Sequence, residues 1–331
     1  MNVLVLSHAD VRRLLPIDAC IEVMAEALRT TSRGEAVLPL RSMVWKPDRS
    51  GMIGLMPGVL GQPACLGLKV VSIFPGNHAA GYDSHQGVVM LFEPVHGTPI
   101  AVLDASSITA IRTAAVSGVA TRALARPDAG DLAILGSGVQ AQTHLAAMHA
   151  VRPLRRVRVW SRNRAHAQRF AEAAPVPVEV MASARAAVEG ADLVCTVTAA
   201  REPILEGAWL APGSHVNAVG ACFATSRELD TAAVARARLI VDRRESALAE
   251  SGDFLFARAE GAIGDDHIAA ELGEVLLGSA TGRRSATEIT LFESLGIAIE
   301  DLAAAHYIYA QAVARGAGVA APLSPDPTAT S

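Results

Sequence analysis

The sequence predicts an α/β protein in which a doubly wound parallel sheet is inserted into a second, α+β domain. Three observations predict this fold. Apolar runs alternate with helical segments through the middle of the 331-residue chain, and a glycine turn joins the first of those runs to a helix. The residues before this region carry short β-type runs broken by glycine and proline instead. We expect residues 1–116 with 300–331 to form the α+β domain and residues 117–299 the doubly wound domain.

The alternating part of the chain predicts a parallel sheet. Strands that are separated by helices pair in parallel through right-handed crossovers. The predicted strands are 132–135, 157–160, 178–181, 193–197, 216–219 and 239–242, with helices over 142–151 and 165–174 among the connections.

The remaining elements predict a mixed or antiparallel sheet with helices. A helix over 108–124 bridges into the doubly wound domain, and a helix over 291–314, apolar on one face, returns to the first domain. Residues 320–331, with their proline, serine and threonine content, are predicted to be disordered. The other predicted elements are a helix over 18–31 and strands over 42–45, 52–56, 66–73, 87–92 and 100–104.

The most informative segment is LAILGSGVQA, residues 132–141, which has the pattern G-x-G-x-x-A. Gly136 makes the tight turn, Gly138 allows a pyrophosphate to approach the backbone, and Ala141 lets the helix pack against the strand. The first turn of that helix, with Val139 and Gln140, offers free N–H groups to phosphates. The pattern predicts a Rossmann-type dinucleotide site; the alternative is an ordinary strand-to-helix turn.

The end of the second predicted strand indicates which dinucleotide binds. An acidic residue at that position usually binds the ribose 2′-hydroxyl of NAD. Here the strand ends in Ser161, Arg162 and Asn163, and an arginine fork suits a 2′-phosphate. We therefore favour NADP(H), with NAD(H) possible; the alternative is that Arg162 is a solvated surface residue.

Three cations in apolar surroundings are candidates for binding an anionic substrate. Arg41 follows a Leu-Pro-Leu segment, Lys69 lies in a strand without other charges, and Arg112 lies in an apolar helix segment. Such charges are costly to bury unless they are paired. If the three cations converge in the fold, they would bind a carboxylate. Each of them taken alone is explained at least as readily as a snorkelling cation or as one paired for structural reasons.

Composition argues against several other classes of function. The net charge of −4, with both signs interspersed, gives no basic surface for nucleic acid. The four cysteines lack C-x-x-C spacing, and the histidines form no H-E-x-x-H motif, so we expect a reduced cytoplasmic protein without a metal site. The start of the chain does not read as a signal peptide, and no apolar stretch reaches the roughly 20 residues of a membrane span.

Long stretches of the chain resemble the ornithine cyclodeaminase/mu-crystallin family over nearly the whole length. They include LGLKVVSIFP, LDASSITAIRTAAVSGVAT, LAILGSGVQAQTH and ITLFESLGIAIEDLAAA. The resemblance is nearer to the mu-crystallin-like ketimine reductases than to the cyclodeaminases. It implies NADPH-dependent reduction of a cyclic ketimine, Δ1-pyrroline-2-carboxylate or Δ1-piperideine-2-carboxylate, to the cyclic L-amino acid by hydride transfer. It also implies a homodimer built by pairing the sheets of the first domains.

The resemblance further implies roles for individual residues. Arg41, Lys69 and Arg112 would hold the substrate carboxylate, and either Lys69 or a water would influence protonation of the imine nitrogen. Glu250 matches a position near the ligand pocket, although a surface helix glutamate is the simpler interpretation. The positions implied to contact the cofactor are Gly136, Gly138, Val139, Gln140, Ser161, Arg162, Asn163, Thr198, Ala199, Val219, Ser294, Arg112, Ser84 and His85.

Three departures separate the chain from the cyclodeaminases. Cys222 stands where they carry a catalytic aspartate, and a thiol with an ordinary pKa near 8.5 is a poor replacement for a carboxylate. Gly54 stands where they carry an acidic residue, and the second strand lacks their terminal acid. The alternatives that stay open are a cyclodeaminase or alanine dehydrogenase of this family, and a protein that binds NADPH and a small ligand without turnover. Cys222 itself is expected to be a small, inert side chain.

Overall fold

The computed structural model describes residues 2–323, with backbone alone at 78 and 79, and divides them into two compact units. The first unit contains the described residues up to Arg112 and from Ile297 onward, and the second unit is Thr113–Gly296. Each unit is built around its own sheet. Within residues 2–323, none of the helices combines the length and the apolar character needed to cross a bilayer.

The elements are numbered in chain order. The strands are β1 Asn2–Leu6, β2 Ala36–Val37, β3 Ser42–Trp45, β4 Met52–Leu60, β5 Cys65–Ile73, β6 His85–Phe92, β7 Pro99–Asp104, β8 Asp131–Leu135, β9 Arg156–Trp160, β10 Glu179–Val180, β11 Leu193–Thr196, β12 His215–Ala218, β13 Arg238–Val241, β14 Ile268–Glu271, β15 Thr290–Glu293 and β16 Val319–Pro322. The α-helices are α1 His8–Leu14, α2 Ile17–Ser32, α3 Ala105–Leu124, α4 Val139–Val151, α5 Arg164–Ala173, α6 Ala184–Val188, α7 Thr231–Arg236, α8 Arg244–Glu250, α9 Gly252–Ala259, α10 Leu272–Leu277 and α11 Ala298–Arg315.

The sheet of the first unit is mixed, in the order β16-β1-β7-β6-β5-β4-β2, with β3 also paired to β4. Neighbours are antiparallel except β1 and β7. On one face the long helix α11 packs against β4, β5 and α2. Side chains that alternate along β4 point into this layer, as expected for a sheet with one covered face.

The close approach of α11 depends on two glycines that face each other in the sheet. Gly58 on β4 pairs with Gly67 on β5. A Cβ at Gly67 would lie 2.9 Å from the Leu302 side chain and 2.2 Å from the Met90 carbonyl oxygen, and a Cβ at Gly58 would lie 3.2 Å from Leu302. Because neither glycine has a side chain, the helix lies directly on the strands, which places its polar residues beside the middle of β5.

The sheet of the second unit is parallel throughout, in the order β10-β9-β8-β11-β12-β15-β13-β14. The chain enters at β8, runs outward to β10, and returns to the other side of β8 at β11. The predicted doubly wound sheet is therefore confirmed. Its central strands are buried along their whole length, as expected for a sheet with both faces covered.

Two predicted segments are wrong. Residues 291–293 belong to β15, a fully buried strand between β12 and β13, and the predicted helix begins only at Ala298. Periodicity cannot separate a short buried strand from a buried helix when both are apolar, and Gly296, with φ 76°, is the break between them. At the other end, residues 320–322, predicted to be disordered, lie in β16 and pair with β1. The rest of the predicted tail, 324–331, lies outside the described residues.

Candidate active site

Four charged side chains meet beneath the sheet of the first unit. Lys69 Nζ lies 2.9 Å from Asp301 Oδ2, and Arg112 Nε donates a 2.9 Å hydrogen bond to Asp301 Oδ1. Arg112 Nη1 donates a second bond, of 2.6 Å, to Glu300 Oε2. Lys69 and Arg112 are 3% and 4% exposed, and both carboxylates are fully buried. Asp301 thus joins two of the cations that the sequence singled out.

Burial and neighbouring charges alter the ionisation of this cluster. Burial lowers the pKa of Lys69 to about 8; Asp301 opposes that shift, while the positive charges of Arg112 and Arg41 add to it. Arg41 is therefore within electrostatic range of Lys69, whereas Lys69 and Arg112 are the two predicted cations that share a carboxylate. Burial alone would raise the pKa of Asp301, but Arg112 and Lys69 hold it below its ordinary value. The carboxylate stays charged, and Lys69 can hold or release a proton near neutral pH.

The charges of the cluster suit an anionic ligand. Lys69 and Arg112 are cationic donors held in fixed positions, and Arg41 adds positive potential at Lys69. A carboxylate supplied by a ligand would find donors of opposite charge there. The two buried acids also fix the directions of the Lys69 and Arg112 side chains, so these donors are oriented before a ligand binds.

Two further predicted residues of the first unit lie at the start of β6. The Ser84 hydroxyl is 3.0 Å from His85 Nδ1, and His85 is exposed. Its carbonyl oxygen accepts a hydrogen bond from the Ser106 hydroxyl at the start of α3. The imidazole is thus held at the end of a strand with one ring nitrogen bonded locally.

In the second unit, the residues predicted to bind a nucleotide share one edge of the sheet. The last residues of β9, β8, β11, β12 and β15 stand in one row, because Trp160, Leu135, Thr196, Ala218 and Glu293 are paired in register. The residues that follow these strands therefore line the carboxyl edge, where doubly wound sheets bind their ligands. These residues are Gly136, Ser161, Val197, Val219 and Ser294, with Thr198 and Ala199 one and two positions after Val197.

The glycine turn has the geometry that a pyrophosphate needs. Gly136 adopts φ 129°, and a Cβ there would lie 2.9 Å from Val197. Gly138 is the N-cap of α4, and a Cβ there would meet nothing within 4 Å. Gly136 is thus required by the fold, whereas Gly138 faces open space at a helix N-terminus, where N–H groups bind anions. Ala141 is fully buried against the strand. The site fits a dinucleotide phosphate.

The predicted 2′-phosphate residues lie just beyond β9. Asn163 Oδ1 accepts a 3.0 Å hydrogen bond from the Ala165 N–H and caps α5. Arg162 is exposed and Ser161 is half-buried. The asparagine amide oxygen is therefore occupied by a structural bond, which leaves the guanidinium and the serine hydroxyl as the groups that suit a phosphate.

Gly54 and Cys222 occupy the positions where cyclodeaminases carry acids. A Cβ at Gly54 would lie 3.2 Å from the Met43 sulfur and 3.3 Å from Val71, so apolar side chains fill the space that a carboxylate would need. Cys222 is half-buried beside the apolar core of the second unit. Glu250, at the end of α8, is half-buried.

Sequence reasoning missed three acidic residues at these sites. Asp301 and Glu300 lie side by side at the start of α11, in the otherwise apolar segment IAIEDLAAA. Glu228 is buried at the carboxyl edge of the parallel sheet and accepts hydrogen bonds from Thr198 and Gly220. Adjacent acids in an apolar helix face were a usable signal, since they imply cationic partners. Glu228 lies in a loop without periodicity and gave no such signal.

Comparison with known proteins identifies relatives over nearly the whole chain. The family model for the ornithine cyclodeaminase/mu-crystallin family matches residues 1–316. The chain is 43% identical to the mouse ketimine reductase mu-crystallin over 276 residues, 83% of this chain and 85% of that protein. It is 38% identical to a Bacillus cereus Δ1-pyrroline-2-carboxylate reductase over 320 residues, 95% of this chain and 98% of that protein.

A solved structure is similar over the same extent. The Δ1-pyrroline-2-carboxylate reductase of Thermococcus litoralis, in complex with NADH and L-proline, superposes with a TM-score of 0.93 at 39% identity, covering 96% of this chain and 99% of that one. The extent of the family match and these identities show that the chain belongs to the ornithine cyclodeaminase/mu-crystallin family.

Proposed function

We propose that this protein is an NAD(P)H-dependent oxidoreductase that reduces a cyclic ketimine carboxylate, Δ1-pyrroline-2-carboxylate or Δ1-piperideine-2-carboxylate, to the cyclic L-amino acid. The buried cluster of Lys69, Arg112 and Asp301 is the observation that carries the proposal, because it offers two oriented cationic donors to a carboxylate. The similarity to reductases named for this chemistry supports the same reaction.

The reaction requires a hydride and a proton. When bound, the reduced nicotinamide supplies the hydride to the imine carbon, and the electron pair of the C=N bond becomes the lone pair of the amine nitrogen. The protein contributes binding and orientation. Lys69, Arg112 and Arg41 hold the carboxylate, which fixes the neighbouring imine carbon. Lys69, with a pKa lowered to about 8, can also hold a proton for the imine nitrogen.

The second unit provides the nucleotide site in this proposal. The open backbone at Gly138 and the N-terminus of α4 bind the pyrophosphate, and Thr198, Ala199, Val219 and Ser294 line the same edge. Ser161 and Arg162 at the end of β9 favour the 2′-phosphate of NADPH, since no carboxylate follows that strand to bind a ribose hydroxyl. NADH remains a usable donor, with lower affinity.

The structure also bears on the alternatives. Ornithine cyclisation needs an acid–base group, and the positions that would supply one hold Gly54, packed against Met43 and Val71, and the thiol of Cys222. These residues disfavour a cyclodeaminase. The pre-oriented cationic cluster favours an enzyme over a protein that only binds a small apolar ligand. Binding an apolar ligand does not need a buried lysine with a lowered pKa, whereas catalysis often uses such a group.

We infer that a second copy of the chain covers the outer face of the first unit's sheet. The cross-strand pairs Val37–Val59 and Val44–Ile53 are exposed apolar side chains on the face opposite α11. Such a surface is typical of a protein interface. Ile53→Lys should convert a dimer into a monomer in analytical ultracentrifugation; an unchanged sedimentation coefficient would reject this interface.

A cytoplasmic location remains a prediction from the cysteine pattern.

A panel of substrates tests the proposed reaction. Oxidation of NADPH and of NADH is followed at 340 nm with freshly generated Δ1-pyrroline-2-carboxylate, with freshly generated Δ1-piperideine-2-carboxylate, and with pyruvate plus ammonia. A separate assay measures the release of ammonia from ornithine. We expect turnover with at least one cyclic imine and a higher kcat/KM with NADPH. Turnover confined to pyruvate plus ammonia, or to ornithine, would assign the protein to one of the alternatives.

A further inference from the structure

We propose that Glu228 is a positioning residue for the nicotinamide nucleotide: its carboxylate holds the loops after β11 and β12 in the shape that receives the cofactor. This inference rests on the nucleotide site proposed above. Glu228 touches neither nucleotide nor substrate in this account. It acts through Thr198 and Gly220, which follow two central strands at the carboxyl edge.

The contacts of Glu228 join the two loops directly. Its Oε1 accepts hydrogen bonds of 2.6 Å from both the backbone N–H and the hydroxyl of Thr198. Its Oε2 accepts a 2.7 Å hydrogen bond from the Gly220 N–H. The strands before these loops are neighbours, because Thr196 pairs with Ala218. One carboxylate therefore fixes the separation of two segments that lie beside each other at the proposed site.

The loops have little room to adopt another arrangement. A Cβ at Gly220 would lie 1.9 Å from the Thr198 carbonyl oxygen and 2.6 Å from Glu228 Oε2. The Thr198 hydroxyl, which donates to Glu228, also accepts a 3.1 Å bond from the Ala200 N–H. Its hydrogen is therefore already committed to Glu228, so the hydroxyl organises the loop instead of donating to a ligand.

The segment that carries Glu228 is itself held firmly. The backbone N–H groups of Glu228 and Leu229 donate bonds of 2.8 and 2.9 Å to Asp253 Oδ1. The Glu228 carbonyl oxygen accepts bonds of 2.7 and 3.0 Å from the N–H groups of Ile204 and Leu205. The carboxylate is fully buried. Burial raises the pKa of Glu228, and the hydrogen bonds from Thr198 and Gly220 oppose that shift. Burying a carboxyl group is costly unless its oxygens are bonded, and here the bonds come from the two loops at the proposed nucleotide edge.

The chain offers a matched control at the opposite edge of the same sheet. Asp192, just before β11, accepts hydrogen bonds of 3.0 and 3.1 Å from the N–H groups of Gly130 and Asp131. It ties backbone segments together at the amino ends of the strands, and it also pairs with Arg126 and Arg155, so its loss should cost stability at least as much as that of Glu228. Asp192→Asn should therefore lower stability without changing nucleotide binding.

The test compares Glu228→Gln with Asp192→Asn in the full-length protein. The amide oxygen of a glutamine can accept hydrogen bonds from one of the two loops. Its NH2 group then faces a donor on the other loop, at Gly220 or Thr198, and cannot bond to it, so that loop is released. We expect the Kd for NADPH, measured by fluorescence titration, to rise about 10- to 100-fold in Glu228→Gln, the loss typical of a charge-assisted hydrogen bond. The KM for the imine at saturating NADPH should change less than twofold, an estimate of about 0.4 kcal/mol.

The outcomes are separable. If Glu228→Gln and Asp192→Asn lower the melting temperature alike and both keep the wild-type Kd, the carboxylate is structural and the inference is overturned. If the wild-type protein binds neither NADPH nor NADH, the proposed function itself fails. Should Glu228→Gln not fold, Thr198→Val replaces it, because it removes one hydrogen bond to Glu228, and Asp192→Asn remains the control. A Kd that rises in Thr198→Val and not in Asp192→Asn supports the inference, and equal Kd values overturn it.

Discussion

Asp301 Oδ2 lies 2.9 Å from Lys69 Nζ, and both groups are buried beneath the sheet of the first unit. The same carboxylate accepts a hydrogen bond from Arg112, so one acid orients two cations. Gly58 and Gly67 allow α11 to bring this acid against the strand that carries Lys69. The proposed substrate site is therefore a product of close helix-on-sheet packing.

Removing the charge of Asp301 should destabilise the protein. Asp301→Asn leaves two buried cations with one carboxylate, and breaking a buried ion pair costs about 3–5 kcal/mol. Urea denaturation measures this loss. Glu26→Gln is the control: Glu26 pairs with Arg29 and Arg33 on the exposed side of α2 and should cost no more than about 1 kcal/mol. Equal losses in the two variants would contradict the role given to Asp301.

The titration of Lys69 should separate activity from stability at alkaline pH. Its pKa is about 8 in the folded protein against an ordinary 10.5, so the unfolded chain binds more protons between these values. Stability therefore gains up to about 1.4 kcal/mol per pH unit from this group as pH rises through that window. The kcat/KM for the imine should fall over the same range as the cation is lost. Lys69→Met should remove this contribution to the stability slope; an unaltered slope would contradict the lowered pKa.

The glycine turn should tolerate or reject a methyl group according to position. Gly138→Ala adds a Cβ into open space, so the unfolding free energy should change by no more than about 1 kcal/mol while the Kd for NADPH rises. Gly136→Ala should destabilise strongly, because that residue has φ 129° and contacts Val197. Gly76→Ala, also in open space but in the first unit, is the control for both properties. Normal NADPH binding by Gly138→Ala would place the phosphate elsewhere.

Arg162 should determine the preference between the two nucleotides. Arg162→Ala should weaken NADPH binding by about 1.5–3 kcal/mol, the value of a charge-assisted bond, and leave NADH binding nearly unchanged. Parallel fluorescence titrations measure both constants. Arg164→Ala, at the next arginine along the chain and the first residue of α5, serves as a control of equal charge. Equal losses for both nucleotides in Arg162→Ala would show that this residue does not read the 2′-phosphate.

The parallel sheet could be predicted from sequence because its strands are short apolar runs separated by helices, and the glycine turn located its first strand. β15 could not, because it is only four residues long and Gly296 alone separates the segment TLFESL from the apolar start of α11.

The candidate sites were predictable to a similar degree. Lys69 and Arg112 stood out because a charge in an apolar element needs a partner. Their partner Asp301 comes from a helix about 190 residues further along than Arg112, and sequence spacing gives no measure of such a contact. Glu228 was missed for another reason: loop residues have no periodicity, and its role depends on the register that aligns Thr196 with Ala218.

The central claim is that a hydride is delivered to the imine carbon of a carboxylate-bearing ring held by the Lys69 cluster. The most direct measurement uses NADPH deuterated at C4, on each face in turn, with Δ1-pyrroline-2-carboxylate, followed by NMR of the product. We predict L-proline with deuterium at Cα from one labelled face and none from the other, and a large loss of kcat/KM in Lys69→Met. Unlabelled proline from both labelled forms of NADPH would contradict this mechanism. So would the absence of any product from either cyclic imine.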